Sequence, residues 1–521
     1  MIESENLIRQ ETRQAEPASL GELLGQRTQA APDKVFLFSE ADGRRYTYAE
    51  FDRATDRAAR LLAARGVLKG DVVALLMPNS PEYIIAYFAC FKLGAIAGPV
   101  NSLLKPLELA YVLANSEAKA LLVHSEFLPR IDAVRDELPG LQHVIEFDDE
   151  ARATAELAHG LGQLASPSIE RDTEAIIIYT SGTTGKPKGC LLTHGNLIAN
   201  ARQIKGWLGF TERDRLLTIM PLFHMNAVSV TTMTPLYAGA STVVSPRFSA
   251  SRFWHIISDY EVTSFGSVAT MLARLLSAYP EGVPAGLKTE QLRFAMCGSA
   301  PVPAEILKRF EETFNCLVIE GYGLSESTCR STFNPPDERR RPGSCGMPIG
   351  NEMRVVDEED RDVADGELGE IVLRGENILK GYFKNEAATA EAFRNGWFHT
   401  GDIGYRDADG FYYIVDRKSD MIIRGGENIY PREIDEVLYS HEAVAAAATI
   451  GVPDAVYGEE VAAFIVLREG AEATADEIIK YCRERLADYK CPKSVRFVTD
   501  IPKGPTGKLL KRELARQYAA E

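Results

Sequence analysis

The stretch Tyr179-Thr-Ser-Gly-Thr-Thr-Gly-Lys-Pro-Lys-Gly189 decides how this chain is interpreted. It follows the apolar run Ala175–Tyr179, which is typical of a buried strand, and precedes a segment near His194 that is typical of a helix. Small hydroxyl and glycine residues let backbone N–H groups approach phosphate oxygens, and Lys186 and Lys188 can neutralise phosphate charge. The stretch therefore predicts a phosphate-binding loop in an α/β sheet.

This loop differs from the Walker A loop of P-loop NTPases. That motif requires glycine where Thr180 stands and Ser or Thr where Pro187 stands. A flexible surface turn is the other interpretation, but a long run of this composition directly after a buried strand argues against it.

The segments before the loop alternate between helical and strand-like patterns. Residues 48–65 place apolar side chains on one helical face, and Val72–Met77 is typical of a buried strand. A helix from Glu82, a helix over Pro106–Glu117 and a strand over Ala120–His124 follow. Such alternation predicts βαβ units and a mostly parallel sheet.

The pattern changes beyond the strand Phe411–Val415, after which we place a domain boundary at Asp416–Asp420. Residues 1–416 are predicted to form a large N-terminal α/β domain with mixed sheets flanked by helices. Residues 417–521 are predicted to form a small, mobile α+β domain. Before the boundary, short strands are predicted at Met353–Asp357 and Glu370–Leu373; after it, the predicted elements are helices at Pro431–Ser440 and Asp476–Ala487 and strands at Ala445–Gly451 and Val461–Leu467.

Size and charge limit the function classes. A chain of 521 residues is expected to contain two or three domains. Its net charge of −16 argues against a nucleic-acid-binding surface. From Lys480 to Glu521, however, 11 Lys or Arg stand against 5 Asp or Glu. This excess is consistent either with solvated helix faces or with a local site for an anion such as ATP or CoA.

Cysteine spacing and apolar runs indicate a cytoplasmic protein. The eight cysteines form no C-x-x-C pair and no metal-ligand pattern, which favours reduced thiols. Met1 to Ala15 has no apolar core and is not a signal peptide. The most apolar stretch, Tyr83–Val100, is interrupted by Lys92 and is predicted to be a buried helix running into a strand rather than a membrane span.

Five further segments join the phosphate loop in a single resemblance. The chain resembles the adenylate-forming superfamily, which includes acyl-CoA synthetases, nonribosomal adenylation domains and luciferases, and it is most similar to the acyl-CoA synthetase branch. The other segments occur in the family's order: Pro221-Leu-Phe-His-Met-Asn226, Gly321-Tyr-Gly-Leu-Ser-Glu326, Thr400-Gly-Asp-Ile-Gly404, Asp416-Arg417 with Arg424-Gly-Gly-Glu-Asn-Ile-Tyr-Pro431, and Pro505-Thr-Gly-Lys508.

The resemblance implies a ligase that uses ATP, Mg²⁺ and coenzyme A. A carboxylate attacks the α-phosphorus of ATP and expels pyrophosphate, and the acyl group then passes to CoA with release of AMP. Two anions must meet in the first step, so the site must neutralise charge. The implied nucleotide site comprises Thr180, Ser181, Gly182, Thr183, Thr184, Lys188, Gly298, Ser299, Ala300, Glu320, Gly321, Tyr322, Gly323, Ser325, Asp402, Arg417 and Lys508.

Specific roles follow from the resemblance. Glu326 is implied as the Mg²⁺ ligand, since magnesium prefers oxygen ligands. Asp402 suits the ribose hydroxyls because a carboxylate offers two acceptor oxygens. Tyr322 offers a flat face to adenine. The residues implied in catalysis are Lys508, Glu326, Ser325, Thr180 and His224.

The acyl pocket implied by the family mixes apolar and small polar groups and favours a small or medium organic acid. Amino-acid adenylation domains carry Asp at the position of His224, so no countercharge for an α-ammonium is evident. A weak resemblance around Phe253–Leu276 to carnitine and crotonobetaine CoA ligases keeps a betaine-type acid open. The implied pocket residues are His224, Asn226, Phe265, Gly266, Val268, Cys297, Gly298, Gly323 and Thr328.

The acceptor and the assembly stay open at this stage. Arg424, Gly425 and Gly426 are implied to line the path of CoA, whose thin pantetheine arm can pass close to glycine backbone. One alternative is an adenylating enzyme that loads a carrier protein. Another is an inactive relative that binds nucleotide and acts as a regulator, which the presence of Lys508 disfavours. The expected partners are the small-molecule acid, ATP and CoA, with no nucleic acid and no integral membrane segment, in a monomer or homodimer.

Overall fold

The computed structural model describes residues 16–155, 167–180, 187–298, 304–454, 456–503 and 509–519, without the side chains of residues 512 and 519. Several predicted site residues lie outside these ranges: Ser181, Gly182, Thr183, Thr184, Ser299, Ala300 and Lys508, together with Lys186 of the phosphate loop.

Two seven-stranded sheets form the framework of the larger part of the chain. In sheet 1 the strands are parallel except for the last pair. In sheet 2 the first two pairs are antiparallel and the others parallel. The order in sheet 1 is Leu317–Glu320, Phe294–Cys297, Ser264–Ser267, Arg215–Thr218, Ser241–Val244, Val35–Ser39 and Arg45–Thr47; in sheet 2 it is Gly381–Tyr382, Lys188–Thr193, Glu174–Thr180, Ile96–Pro99, Val72–Leu76, Ala120–Val123 and His143–Glu146.

Sheet 3 is antiparallel, and its strands directly precede the C-terminal part in the sequence. Its strands are Glu352–Val356, Gly369–Arg374, Trp397–Arg406, Phe393–Arg394 and Tyr412–Arg417, and a separate pair joins Thr332–Phe333 to Met347–Pro348.

Sheet 4 belongs to the C-terminal part. Its two long central strands are antiparallel, and the last strand joins in parallel. Its strands are Glu427–Ile429, Ile422–Arg424, Gly458–Leu467, Val444–Asp454 and Ser494–Phe497.

The helices cover the sheets, and their ends have local causes. The helix Tyr48–Ala64 begins at a capping box, in which the Thr47 hydroxyl accepts the Glu50 N–H and the Glu50 carboxylate accepts the Thr47 N–H. The α-helices are Leu20–Ala30, Tyr48–Ala64, Pro81–Leu93, Pro106–Asn115, Leu128–Asp132, Glu150–Ala153, His194–Leu208, Thr234–Ala238, Ala250–Asp259, Ala269–Ala278, Ala304–Phe314, Glu386–Ala392, Pro431–Tyr439, Ala475–Arg483 and Lys511–Ala519, with a π-helix at Asn226–Met233 and 3₁₀ turns at Ser125–Phe127, Arg135–Glu137, Ser325–Ser327 and Asp488–Lys490.

The predicted fold class is confirmed: a mixed α/β unit is followed by a smaller unit built on sheet 4. The predicted helix over residues 48–65 and the buried helix running into a strand within Tyr83–Val100 are both present. Buried apolar residues form clusters that reach Tyr412 in the first unit and begin at Ile422 in the second. The boundary at Asp416 lies between these clusters and stays a prediction.

Two segments differ from the sequence expectation. Lys188 and Gly189 do not belong to a loop: they begin a strand that pairs with Glu174–Thr180. The sequence of this strand does not alternate regularly between apolar and polar residues, so it did not predict a strand. Pairing with the preceding strand determines its conformation. The segment between the predicted strand Phe411–Val415 and the predicted helix Pro431–Ser440, in which no element is predicted, likewise forms a hairpin, Ile422–Arg424 with Glu427–Ile429.

Candidate active site

One cavity of about 1190 Å³ lies where sheet 1, sheet 3 and the C-terminal part meet. Three adjacent parallel strands of sheet 1 point their carboxyl ends at it, and the residues that follow or end those strands line it. Ligands of α/β folds bind at this edge of the sheet. The predicted site residues that line the cavity are Val268, Cys297, Gly298, Glu320, Gly321, Tyr322, Gly323, Asp402 and Arg417.

Asp402 is held by two neighbours. The Tyr322 hydroxyl donates to Oδ2 of Asp402 at 2.6 Å, and Nε of Arg417 lies 3.0 Å from Oδ1. Asp402 and Arg417 are cross-strand partners in sheet 3, so strand register brings them together. The pKa of Arg417 is raised chiefly by the charge of Asp402. The Asp402 carboxylate is thus buried and held in one orientation by two neighbours.

Glu320 is a buried acid at the end of a sheet-1 strand. Its Oε2 accepts the backbone N–H of Gly343 at 2.9 Å. Burial raises the pKa of Glu320 to about 7, against the opposing effect of the Gly343 hydrogen bond and of Arg340. Near neutral pH this carboxyl therefore exists in both protonation states.

Glu326 lies in the 3₁₀ turn that begins at Ser325. Its Oε1 accepts the Tyr382 hydroxyl at 3.2 Å and the Thr180 hydroxyl at 3.4 Å. Lys188 is close by, with Nζ 5.3 Å from the centre of the Tyr382 ring. Thr180, Lys188 and Glu326 thus gather at the edge of the segment 181–186, beside the cavity and not in its lining.

The predicted acyl-pocket residues lie in and behind the cavity wall. Within the described residues, Nε2 of His224 and both amide atoms of Asn226 are buried without a hydrogen-bond partner. Burial lowers the pKa of His224 to about 4, so the ring is neutral at physiological pH. A Cβ at Gly266 would lie 2.8 Å from Oδ1 of Asn226, so glycine makes room for that amide.

Two predicted pocket residues lie deeper in the structure. Phe265 is fully buried and packs against Phe253, with ring centres 4.9 Å apart. Thr328 is also fully buried, and its hydroxyl donates to the Asn377 carbonyl at 2.7 Å. Thr328 has a φ of +68°, which is unusual for a β-branched residue and marks a strained turn after Glu326.

Comparison with known families decides the identity. A model described as "AMP-binding enzyme" matches residues 24–383, and one described as "AMP-binding enzyme C-terminal domain" matches residues 433–508. The chain belongs to the AMP-binding enzyme family. The predicted adenylate-forming superfamily and its acyl-CoA synthetase branch are thereby confirmed.

Relatives of the AMP-binding enzyme family extend over the whole chain. A sulfoacetate–CoA ligase from Cupriavidus necator is 37% identical over 95% of this chain and 97% of its own. A long-chain-fatty-acid–CoA ligase from Mycobacterium tuberculosis is 36% identical over 96% and 99%. The solved structure of an anthranilate CoA ligase with anthranoyl-AMP superposes with a TM-score of 0.88 at 31% identity, over 97% and 99%.

These relatives establish the reaction class. The protein is an AMP-forming acid–thiol ligase, which activates a carboxylic acid as acyl-AMP with release of pyrophosphate and then transfers the acyl group to CoA. ATP and CoA are its co-substrates. The relatives named above act on chemically different acids, so their names leave the acid of this chain open.

The implied CoA residues form a tight turn in sheet 4, away from the cavity lining. Gly425 and Gly426 have φ values of +57° and +93° between the paired residues Arg424 and Glu427. A two-residue turn with both φ positive is the type I′ hairpin, which itself favours glycine. Arg424 is paired with Glu460 at 2.6 Å.

Several residues near this site have no sequence signal that predicts them. Tyr382 was not predicted because its short strand has no periodic pattern, although it contacts Glu326. Arg432 was also missed: its backbone N–H donates to Oδ2 of Asp416 at 3.0 Å, across the predicted boundary. Nearby, Lys511 lies 3.2 Å from the buried Asp435.

The missed Lys511 faces several acids. Burial alone would lower its pKa, but the charges of Asp435, Asp416 and Asp420 raise it. Lys511 and Asp435 both line the cavity, so the C-terminal part contributes charge to it. The sequence could not predict this group of charges, because Lys511 and the aspartates meet only through contacts between segments that are distant in the chain.

Proposed function

We propose that this ligase activates a small or medium organic acid inside the single cavity described above. The observation that carries the proposal is that residues from different parts of the chain line the same cavity. Ribose-side residues from sheet 3, strand ends of sheet 1 and charged residues from beyond residue 417 all face one space. A nucleotide and an acid can therefore meet there without leaving the protein.

The nucleotide is proposed to lie against Gly298, Gly321 and Tyr322, with its ribose at Asp402. The Asp402 carboxylate, oriented by Tyr322 and Arg417, offers two acceptor oxygens, which suits a pair of ribose hydroxyls. A Cβ at Gly321 would lie 2.5 Å from the Phe333 ring, so glycine permits the close packing of this wall. Preorganised acceptors of this kind bind without reorganisation at the moment of reaction.

Glu326 is proposed as the protein's ligand for Mg²⁺. Within the described residues no three His, Cys, Asp or Glu side chains converge on a metal position. A single carboxylate nevertheless fits this ion, which usually takes one or two carboxylates together with waters and phosphate oxygens. The hydroxyl groups of Thr180 and Tyr382 hold Oε1 of Glu326 in place. Bound Mg²⁺ would neutralise charge on the triphosphate.

Lys508 is proposed to hold the acid carboxylate and the α-phosphate together. Its position lies outside the described residues, but Lys503 and Leu509, which flank residues 504–508, both line the cavity. A lysine ammonium can contact both anions and hold them at attack distance. Residues 417–521 would then rotate and bring Arg424, Gly425 and Gly426 to the cavity for CoA, since one site must serve two steps.

His224 is proposed to shape the acyl pocket, and Ser325 and Thr180 to hydrogen-bond phosphate oxygens.

A cytoplasmic location is proposed because all eight cysteines are free thiols and most of them are buried. Among the described segments, no helix combines the length and apolarity that a bilayer crossing needs.

The test is a pyrophosphate-release screen over a panel of carboxylic acids, with and without CoA. Acid-dependent pyrophosphate release without CoA, and AMP plus thioester with CoA, would support the proposal. Preference for a bare long-chain acid would contradict the proposed size class. A requirement for a carrier protein in place of CoA would favour the carrier-loading alternative.

A further inference from the structure

Arg330 is a buried cation that the reaction described above does not use. It is 1% exposed and is among the largest fully buried side chains of the described protein. Among the described residues its side chain makes one hydrogen bond, a long contact of 3.4 Å from Nη1 to the Gly321 carbonyl. Nε and Nη2 have no acceptor within the residues that the structure describes. The Phe333 ring, with its centre 5.4 Å from Cζ, gives further partial compensation.

The guanidinium lies directly behind the cavity wall. A Cβ at Gly298 would come within 2.5 Å of Nη1 of Arg330, and Gly321 is the acceptor of Nη1. Gly298 and Gly321 both line the cavity. The backbone of these two glycines therefore lies between the charged group and the cavity that nucleotide and acid are proposed to share.

An unpaired cation in this position is energetically costly. Arginine stays protonated in proteins, so burial cannot neutralise it. Removing such a charge from water costs several kcal/mol unless an anion or several acceptors replace the water. Arg417 shows the opposite arrangement: it contacts the carboxylate of Asp402 at 3.0 Å. The cost at Arg330 indicates an anion that arrives with the substrate.

The two free N–H groups have the geometry for such an anion. Nε and Nη2 form one edge of the guanidinium plane, the edge that binds a carboxylate or another oxyanion through two parallel hydrogen bonds. Asn226 is a second residue whose buried amide has no partner among the described residues. Asn200 connects the two regions: its amide donates to the Arg330 carbonyl, and its carbonyl oxygen accepts from Ser229, in the helix that begins at Asn226.

We propose that the acid substrate carries a second oxyanion group, a carboxylate or a sulfonate, which Nε and Nη2 of Arg330 bind while the first carboxylate attacks ATP. This inference rests on the proposed acyl cavity and defines its substrate class. The backbone of residues 330–331 is fixed by Asn200 and Tyr322, so the charge is held at a set distance from the nucleotide. Arg330 therefore selects for short acids with two anionic ends.

The experiment compares acids of matched length in the wild-type enzyme. Succinate is paired with butyrate, glutarate with valerate, and 3-sulfopropionate with butyrate, and pyrophosphate release is measured for each. We expect the acids with a second oxyanion to have the higher kcat/KM, by about 10²-fold or more. The carboxylate and sulfonate arms show which oxyanion is preferred. Higher kcat/KM for butyrate and valerate would overturn the proposal.

The variants Arg330→Met and Arg330→Lys test the residue itself. Arg330→Met should erase the preference, and Arg330→Lys should retain part of it, because lysine keeps the charge without the paired N–H edge. Arg60→Met is the matched control, since Arg60 also has a buried, unpartnered Nε but does not line the cavity. An unchanged preference in Arg330→Met would contradict the proposal. If Arg330→Met does not fold, Arg330→Lys and the wild-type panel decide.

A binding measurement separates this inference from the proposed function. Thermal unfolding with each acid, without ATP, reports binding independently of turnover. We expect stabilisation by succinate or 3-sulfopropionate, and its loss in Arg330→Met. Without ligand, Arg330→Met should unfold at the same or a higher temperature, because it removes an uncompensated charge. Binding of these acids without pyrophosphate release would refute the proposed function and support the anion site. Absence of binding, together with pyrophosphate release from butyrate alone, would refute the anion site and support the proposed function.

Discussion

The two ends of the cavity satisfy their polar groups in different ways. At the ribose end, Asp402 is hydrogen-bonded to Tyr322 and paired with Arg417. At the acyl end, Arg330 and Asn226 keep polar atoms without partners among the described residues. The first end presents an organised surface that any reaction of this class can use. The second end has polar groups without partners among the described residues, and we therefore propose that this end determines which acid is accepted.

The largest effect is expected for Lys508, whose proposed position is at the junction of the two ends. Lys508→Ala should lower the rate of acyl-AMP formation by about 10²–10³, because a charged contact to the transition state is lost. It should still convert supplied acyl-AMP and CoA to thioester at near wild-type rate. Lys480→Ala, an exposed lysine of the same charged segment, is the control. Equal loss in both half-reactions of a folded Lys508→Ala variant would contradict the proposed role.

The next largest effect is expected for Glu326, the proposed Mg²⁺ ligand near the phosphates. Glu326→Ala should lower acyl-AMP formation by about 10–100-fold for every acid, because the proposed metal ligand is removed. Excess Mg²⁺ should restore part of the rate, measured as pyrophosphate release across a magnesium titration. Tyr382→Phe, which removes one hydrogen bond to Glu326, should show a smaller loss. Wild-type rates in Glu326→Ala would exclude the assignment.

A smaller, acid-dependent effect is expected at the acyl end. His224→Ala should change relative kcat/KM among acids by about tenfold, while the KM for ATP stays near its wild-type value. The neutral, half-buried ring of His224 packs beside Phe223, and its buried Nε2 has no partner among the described residues, so its loss should alter the shape and polarity of the proposed acyl end. A uniform loss for all acids with a raised KM for ATP would mean that His224 belongs to the nucleotide end.

The smallest effect on activity is expected at Glu320, where stability is the better measurement. Its pKa is raised to about 7 in the folded protein, so the folded state binds the proton more tightly than the unfolded chain. The corresponding stability is fully present below the ordinary pKa of 4.5 and is lost as the pH rises through 7. Glu320→Gln should therefore match wild type in urea unfolding at pH 4 and exceed it at pH 8 by up to about 3 kcal/mol.

The exposed Glu338→Gln is the control for the Glu320 prediction. Its free energy of unfolding in urea should change between the two pH values by the same amount as that of the wild type. A Glu320→Gln variant that is less stable than wild type at pH 8 would mean that the ionised carboxylate stabilises the fold.

The sequence identified both members of the Asp402–Arg417 pair but not Arg330, for a physical reason. Asp402 and Arg417 are partners across adjacent strands, and their motifs are contiguous in the chain. Arg330 has no motif: its significance depends on the lack of partners after folding, which composition and spacing do not show. The Lys511–Asp435 contact was missed for a related reason, since it joins helices far apart in the sequence.

The most direct test of the account follows one turnover with the preferred acid. Enzyme, acid and ATP are mixed without CoA, quenched over time, and analysed by mass spectrometry; CoA is then added. We predict one pyrophosphate and one enzyme-bound acyl-AMP per site, followed by stoichiometric acyl-CoA and AMP. Formation of ADP and phosphate, or of acyl-CoA without prior acyl-AMP, would contradict the claim that a single cavity carries out adenylation and then thioester formation.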